Sequence, residues 1–203
     1  EKPPKTWAEE IEFAKTIKEK TGVAGYGLPA KTFDNTMHQF MHWVYTNNGK
    51  VIDGDKIVID SPEVLAALQA YKDITPYSVE GATAYEQNEM RAIFLDGKVG
   101  MLQSGSGAAV RLKDTKVNWG VAPLPLGPSA KGEGTLLITD SLAVFKGSGV
   151  EEKAIEFAKF ITSPGPQGEY ELQGAAGLTP LRPSPMVDEF VKKDPYWKPF
   201  IDG

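Results

Sequence analysis

Segments with a helical period alternate with short extended runs along the whole chain, which points to an α/β architecture. Thr6 with Glu9 three residues on makes a capping box. Trp7, Ile11, Ala14 and Ile17 then repeat on one face until Gly22 stops the helix. Ala24 to Leu28 is extended and ends at Pro29. A second helix is predicted from about Asp34 to Asn47, with Met37, Phe40, Met41 and Val44 apolar and Asn48-Gly49 at its end. Asp53-Gly54-Asp55 turns a hairpin over Val51 to Ile59. Ser61-Pro62-Glu63 opens a third helix, its face read through Leu65, Leu68 and Tyr71 or Lys72.

The alternation continues beyond that point. Glu86 to Leu95 reads as a helix broken by Asp96-Gly97, and Lys98 to Gln103 as a short strand. Ser104 to Gly107 is a turn. Asn118 to Leu126 is extended, but Pro123 and Pro125 make it a poor central strand. Thr135 to Phe145 is a strong strand candidate. Glu152 to Ile161 is amphipathic, with Ala154, Phe157, Ala158 and Ile161 inward. Ser163-Pro164 and Ser184-Pro185 each open a further short helix.

Composition narrows the chemistry. With 203 residues the chain holds one large domain or two small ones. A net charge of -5 favours neither nucleic acid nor an anionic membrane surface. No apolar run reaches the roughly 18 residues of a membrane helix. The absence of cysteine excludes disulfides, thiol nucleophiles and thiolate metal sites. No signal-peptide pattern is present, and the abrupt Glu1-Lys2-Pro3-Pro4 start leaves that uninformative.

Motif by motif, enzyme chemistry finds little to stand on. His38 and His42 lie four apart on the second helix, as in a zinc-protease pattern, but Gln39 stands where the general base would be. Two histidines do not make a metal site, so none is assigned. Gly105-Ser106-Gly107-Ala108-Ala109-Val110 follows a strand, yet Val110 replaces the third glycine of a dinucleotide fingerprint. No nucleophile elbow and no phosphate-binding Gly-Lys-Ser/Thr loop occur. No cofactor is implied. The aromatic content is 10%, and rings that stack on the C–H faces of sugars are a binding protein's usual tool. Trp7 and Trp119 read as core or hinge packing, and Trp43 as either core or ligand wall.

Several short motifs, in order, resemble the family 1 extracellular solute-binding proteins, the group of maltose-binding protein. They are Pro4-Lys5-Thr6-Trp7-Ala8-Glu9, Asn48-Gly49, Asp60-Ser61-Pro62-Glu63, Phe94 to Met101 with its Gly97-Lys98, Val121 to Pro128, and Gly177-Leu178-Thr179-Pro180-Leu181-Arg182. The resemblance implies a type II periplasmic-binding-protein fold, two α/β lobes closing on a ligand, with most of the first lobe missing here. Residues 1–118 would form the second lobe, 119–180 would cross back to the first, and 181–203 would return. It implies capture of a sugar or polyol for the membrane permease of an ABC importer, with no catalysis. The location would be periplasmic or extracellular, with a membrane anchor in some relatives. By motif position the ligand contacts would be His38, Met41, Trp43, Tyr85, Gln87, Ser104, Gly105, Ser106, Asp140 and Arg182. The family's stacking tryptophan after Met101 is lost to Gly105-Ser106-Gly107, which favours a small or polar ligand over a long oligosaccharide. A carbohydrate-active hydrolase and a non-binding structural fragment are the alternatives. Exposed edges are expected to let the fragment self-associate.

Overall fold

The computed structural model describes residues 2–112, 115–138, 141–172 and 185–202. They fall into two units, one of residues 1–105 and 114–136, the other of 106–113 and 137–202.

In the first unit, α1 (Trp7–Thr21) begins at the expected capping box. The Thr6 hydroxyl accepts the Glu9 N–H, and the Glu9 carboxylate takes the Thr6 N–H in return. Gly22 ends it in the left-handed region (φ 73°), its N–H bonded to the Lys18 carbonyl. β1 (Ala24–Tyr26) follows, then α2 (Asp34–Tyr45), and then the hairpin β2 (Ile52–Asp53) and β3 (Lys56–Ile57). α3 (Pro62–Ile74) leads through two short 3-10 turns to α4 (Gln87–Leu95) and β4 (Val99–Met101).

β1 and β4 pair in parallel, Ala24 opposite Val99 and Tyr26 opposite Met101. Helix α1 lies flat on this small sheet because two strand positions carry no side chain. A Cβ on Gly25 would meet the Ala14 carbonyl, and one on Gly100 would come within 2.8 Å of the Ile17 Cδ1. The core joins Trp7 and Ala14 of α1, Tyr26 of β1, Met41, Trp43 and Val44 of α2, and Val64, Ala67 and Ile74 of α3. Trp43 sits at its aromatic centre, with ring centroids 5.3 Å from Trp7, 5.9 Å from Tyr71 and 6.3 Å from Tyr26.

Two helix faces differ from those expected of the sequence. α3 buries Val64, Ala67, Ala70 and Ile74, while Leu65 and Leu68 are exposed. The small alanines let α3 approach its neighbours closely, so the bulkiest apolar residues are not the inward ones. On α2, Met37 is exposed because it falls off the inward face, which carries Gln39, Met41, Trp43 and Val44.

The second unit contains α5 (Gly107–Leu112), α6 (Glu151–Ile161), α7 (Pro164–Leu172), α8 (Pro185–Lys193) and α9 (Lys198–Asp202). α7 and α8 start at the two Ser-Pro steps singled out in the sequence. Trp197 is buried and meets Phe200 edge to face at 6.2 Å. The strand expected over 135–145 does not form among its described residues. β1 pairs with β4 and β2 with β3, and neither pair offers this segment a ladder. Leu137 and Phe145 are accordingly 67% and 84% exposed. Phe157 is also exposed, contrary to the inward place expected for it, because α6 buries no residue. Among the described residues, no helix is long and apolar enough to cross a membrane.

Candidate functional site

A small hollow of about 10 Å³, room for one water molecule at most, lies in the first unit. The start of α1 supplies Trp7 and Glu10, and the last turns of α2 supply His42, Trp43 and Thr46. Gln103, just past β4, and the Leu124-Pro125 step complete its lining. The Trp7 indole N–H donates to the Thr46 hydroxyl at 3.2 Å, which fixes one wall.

The segment that carries Leu124 and Pro125 is stitched down on both sides. The Trp7 N–H donates to the Leu126 carbonyl at 3.1 Å, and the Leu126 N–H to the Lys5 carbonyl at 2.9 Å. Asn47, fully buried, accepts the Ser129 N–H at 2.8 Å and donates its amide to the Glu63 carbonyl at 2.9 Å. Gly127 passes directly over Asn47, where a Cβ would strike the Asn47 Oδ1.

The electrostatics of the hollow follow from burial. The Glu10 carboxyl is pushed up to about 8 by desolvation on burial. His42 is pushed down to about 4, by burial first and by the neighbouring His38 second. Its Nδ1 accepts the Leu136 N–H at 3.4 Å and lies 3.2 Å from the Thr135 hydroxyl, so the neutral ring carries its proton on Nε2. The Tyr26 phenol is raised by burial and by Glu10, and its hydroxyl donates to the Gln103 Oε1 at 3.3 Å.

The residues expected from sequence are placed as follows. His38 is half-buried on α2, one turn before His42. Met41 and Trp43 are buried in the core, so packing accounts for both side chains, although Trp43 also edges the hollow. The Gln39 amide donates to the Gln103 carbonyl at 3.1 Å, which brings the stretch holding His38 up to the stretch holding Ser104. Ser104 accepts from the Arg91 guanidinium at 3.2 Å, and Arg91 also bonds Asn88 at 3.0 Å. Tyr85 and Gln87 flank Glu86, whose carboxylate receives the Asn35 amide at 3.5 Å. Gly105 is exposed, and Ser106 opens the second unit half-buried. Asp140 and Arg182 lie outside the described residues. Among the described residues, no group of three His, Cys, Asp or Glu side chains is disposed to hold a metal.

Glu10, Gln103 and Asn47 do not stand out in the sequence as site residues. Glu10 does leave a signal, since it lies three residues from Trp7 and four from Ala14 on the apolar face of α1.

The family model described as "Bacterial extracellular solute-binding protein" matches residues 1–168. The sn-glycerol-3-phosphate-binding periplasmic protein UgpB of Rhizobium meliloti is 30% identical over 190 residues, 88% of this chain and 43% of that protein. The diacetylchitobiose binding protein DasA of Streptomyces coelicolor is 32% identical over 187 residues, 87% of this chain and 42% of that protein. Maltose-bound MalE3 of T. maritima superposes with a TM-score of 0.76 at 27% identity, over 100% of this chain and 53% of that one. The chain thus spans about half the length of these proteins, or somewhat less.

Proposed function

The chain belongs to the bacterial extracellular solute-binding protein family, and from that premise we propose that it forms part of the ligand cleft of a capture protein for a sugar or polyol, working with an ABC importer's permease. The observation that carries this reading is the match of the family model over residues 1–168.

The relatives' names support the ligand class. They are described as binding glycerol phosphate, diacetylchitobiose and maltose. The remaining contacts in this reading are His38, Tyr85, Gln87, Ser104, Gly105 and Ser106, with Asp140 and Arg182 assigned on residue type alone. Residues 1–118 serve as one lobe, 119–180 cross back, and 181–203 return. Binding would shift an open–closed equilibrium that the permease reads, with no chemical step. The site of action is the periplasm or the cell exterior.

A thermal-shift series with maltose, D-tagatose, diacetylchitobiose, glycerol and sn-glycerol 3-phosphate tests this. A dose-dependent rise in Tm with one of them is expected, because a ligand that binds only the folded state stabilises it. No rise with any of them, here and in a longer protein that contains this chain, would overturn the capture reading. Release of product from a chromogenic glycoside would replace it with a hydrolase.

A further inference from the structure

Helix α2 spends two polar side chains, one turn apart, on backbone that lies beyond any strand. The Gln39 amide donates to the Gln103 carbonyl at 3.1 Å, and β4 has already ended at Met101. The His42 Nδ1 accepts the Leu136 N–H at 3.4 Å and lies 3.2 Å from the Thr135 hydroxyl. A backbone group past the end of a ladder needs another partner, and here α2 supplies it. Gln39 is only 3% exposed, so burial commits its amide to that bond.

Both anchored segments are places where the chain leaves the first unit. That unit ends at Gly105 and again at Leu136, and the second resumes at Ser106 and Leu137. Up to each exit the backbone is held. The Ser104 hydroxyl accepts from Arg91 at 3.2 Å. The Gly127 N–H donates to the Thr46 carbonyl at 3.0 Å and the Ser129 N–H to Asn47, which fastens the second segment to the end of α2. Past each exit the packing stops. Gly105 is exposed, with nothing within 4 Å of where a Cβ would stand, and Leu137 is 67% exposed. Backbone rotation concentrates where held chain gives way to free chain.

We propose that Gln39 and His42 are positioning residues that clamp both outgoing segments to α2, so that the second unit turns about Gly105 and Leu137 and not about the longer stretches before them. This concerns motion rather than the ligand, so it holds or fails separately from the capture reading.

Lys20→Cys in the first unit and Lys153→Cys in the second carry one spin label each, in a chain with no cysteine of its own. Double electron–electron resonance, with labelled chain diluted into unlabelled chain, gives the spread of distances within one molecule. Hydrogen exchange at the Leu136 N–H is followed alongside. His42→Gln and Gln39→Met should each broaden the spread, and His42→Gln should speed Leu136 exchange roughly tenfold while the amides of α1 keep their protection. His42→Asn, whose side-chain oxygen can stand where Nδ1 stands, should keep both readings within a few-fold of the parent chain. An unchanged Leu136 rate in His42→Gln removes the anchor and overturns the proposal. Faster exchange with an unchanged spread in both variants also overturns it, because the bonds would then not govern the motion. A variant that exposes α1 as fast as Leu136 has lost its fold, and the His42→Asn chain then decides: a spread and a Leu136 rate like the parent's uphold the clamp, and a broad spread with fast Leu136 exchange overturns it.

Discussion

Glu10 and His42 titrate in opposite senses on two faces of one hollow, and this sets a stability profile. Burial moves the Glu10 carboxyl from 4.5 up to about 8, so the folded chain keeps a proton that the unfolded chain has lost. Stability therefore falls as pH rises from 4.5 to 8. His42 moves from 6.5 down to about 4, so the unfolded chain binds a proton that the folded chain refuses, and stability falls as pH drops from 6.5 to 4. Between 4.5 and 6.5 the two slopes oppose each other. Above 6.5 only Glu10 acts, with a slope of up to about 1.4 kcal/mol per pH unit. Melting temperatures across this range should show a plateau and then an alkaline fall, and Glu10→Gln should remove the fall while leaving the acid limb. A wild-type curve that stays flat to pH 8 would mean the carboxyl is not held in its acid form. Asn47 makes a separate prediction at the same scale. Asn47→Leu strands the Ser129 N–H and the Glu63 carbonyl together, for a loss of about 2–4 kcal/mol in urea unfolding. A loss below about 1 kcal/mol would show that water replaces both bonds.

The contact between α1 and β1 depends on what Gly25 lacks. Any side chain there meets the Ala14 carbonyl, which is backbone and cannot step aside. Gly25→Ala should cost about 1–3 kcal/mol or more by overpacking. Gly120→Ala, at a position with open space around it, should stay within about 0.5 kcal/mol. Equal effects would contradict the flat seating of α1. Signals contained in a few adjacent residues are legible in the amino-acid sequence: the Thr6–Glu9 box, the Gly22 stop, the turn at Gly54, and the Ser-Pro starts of α3, α7 and α8. The inward face of α3 is not, because alanines make the contact and leucines face water, and hydrophobic size alone points the wrong way. The strand expected over 135–145 fails because a strand exists only with a partner, and pairing is not written into the segment itself. In the candidate site, the motif positions lead to α2 and to the end of β4. The Glu10–Gln103 pair stays hidden in the sequence because its members are 93 residues apart and only folding brings them to one wall.

Across the whole molecule the apolar surface is unevenly spent. The first unit buries Trp7, Trp43 and an aromatic cluster but leaves Phe33, Met37, Ile52, Ile57, Leu65 and Leu68 exposed, while the smaller second unit buries Trp197 and leaves Leu137, Ile138, Leu142 and Phe145 exposed before α6, and Ile155, Phe157 and Phe160 exposed on it. Clustered exposed apolar side chains favour association, since each that is buried against another surface gains about 1.5–3 kcal/mol. The chain alone should therefore self-associate, through the second unit rather than the first. Size exclusion with light scattering should give a mass above the 22.1 kDa of one chain, rising with concentration. Charged substitutions at Phe157 and Phe160 should return the mass toward 22.1 kDa. The fluorescence of Trp7 and Trp43, both buried in the first unit, should be unchanged by them. The same substitutions with no effect on a larger mass would move the contact to another surface. A single 22.1 kDa species at every concentration would mean these side chains find cover within one chain, and the prediction would fail.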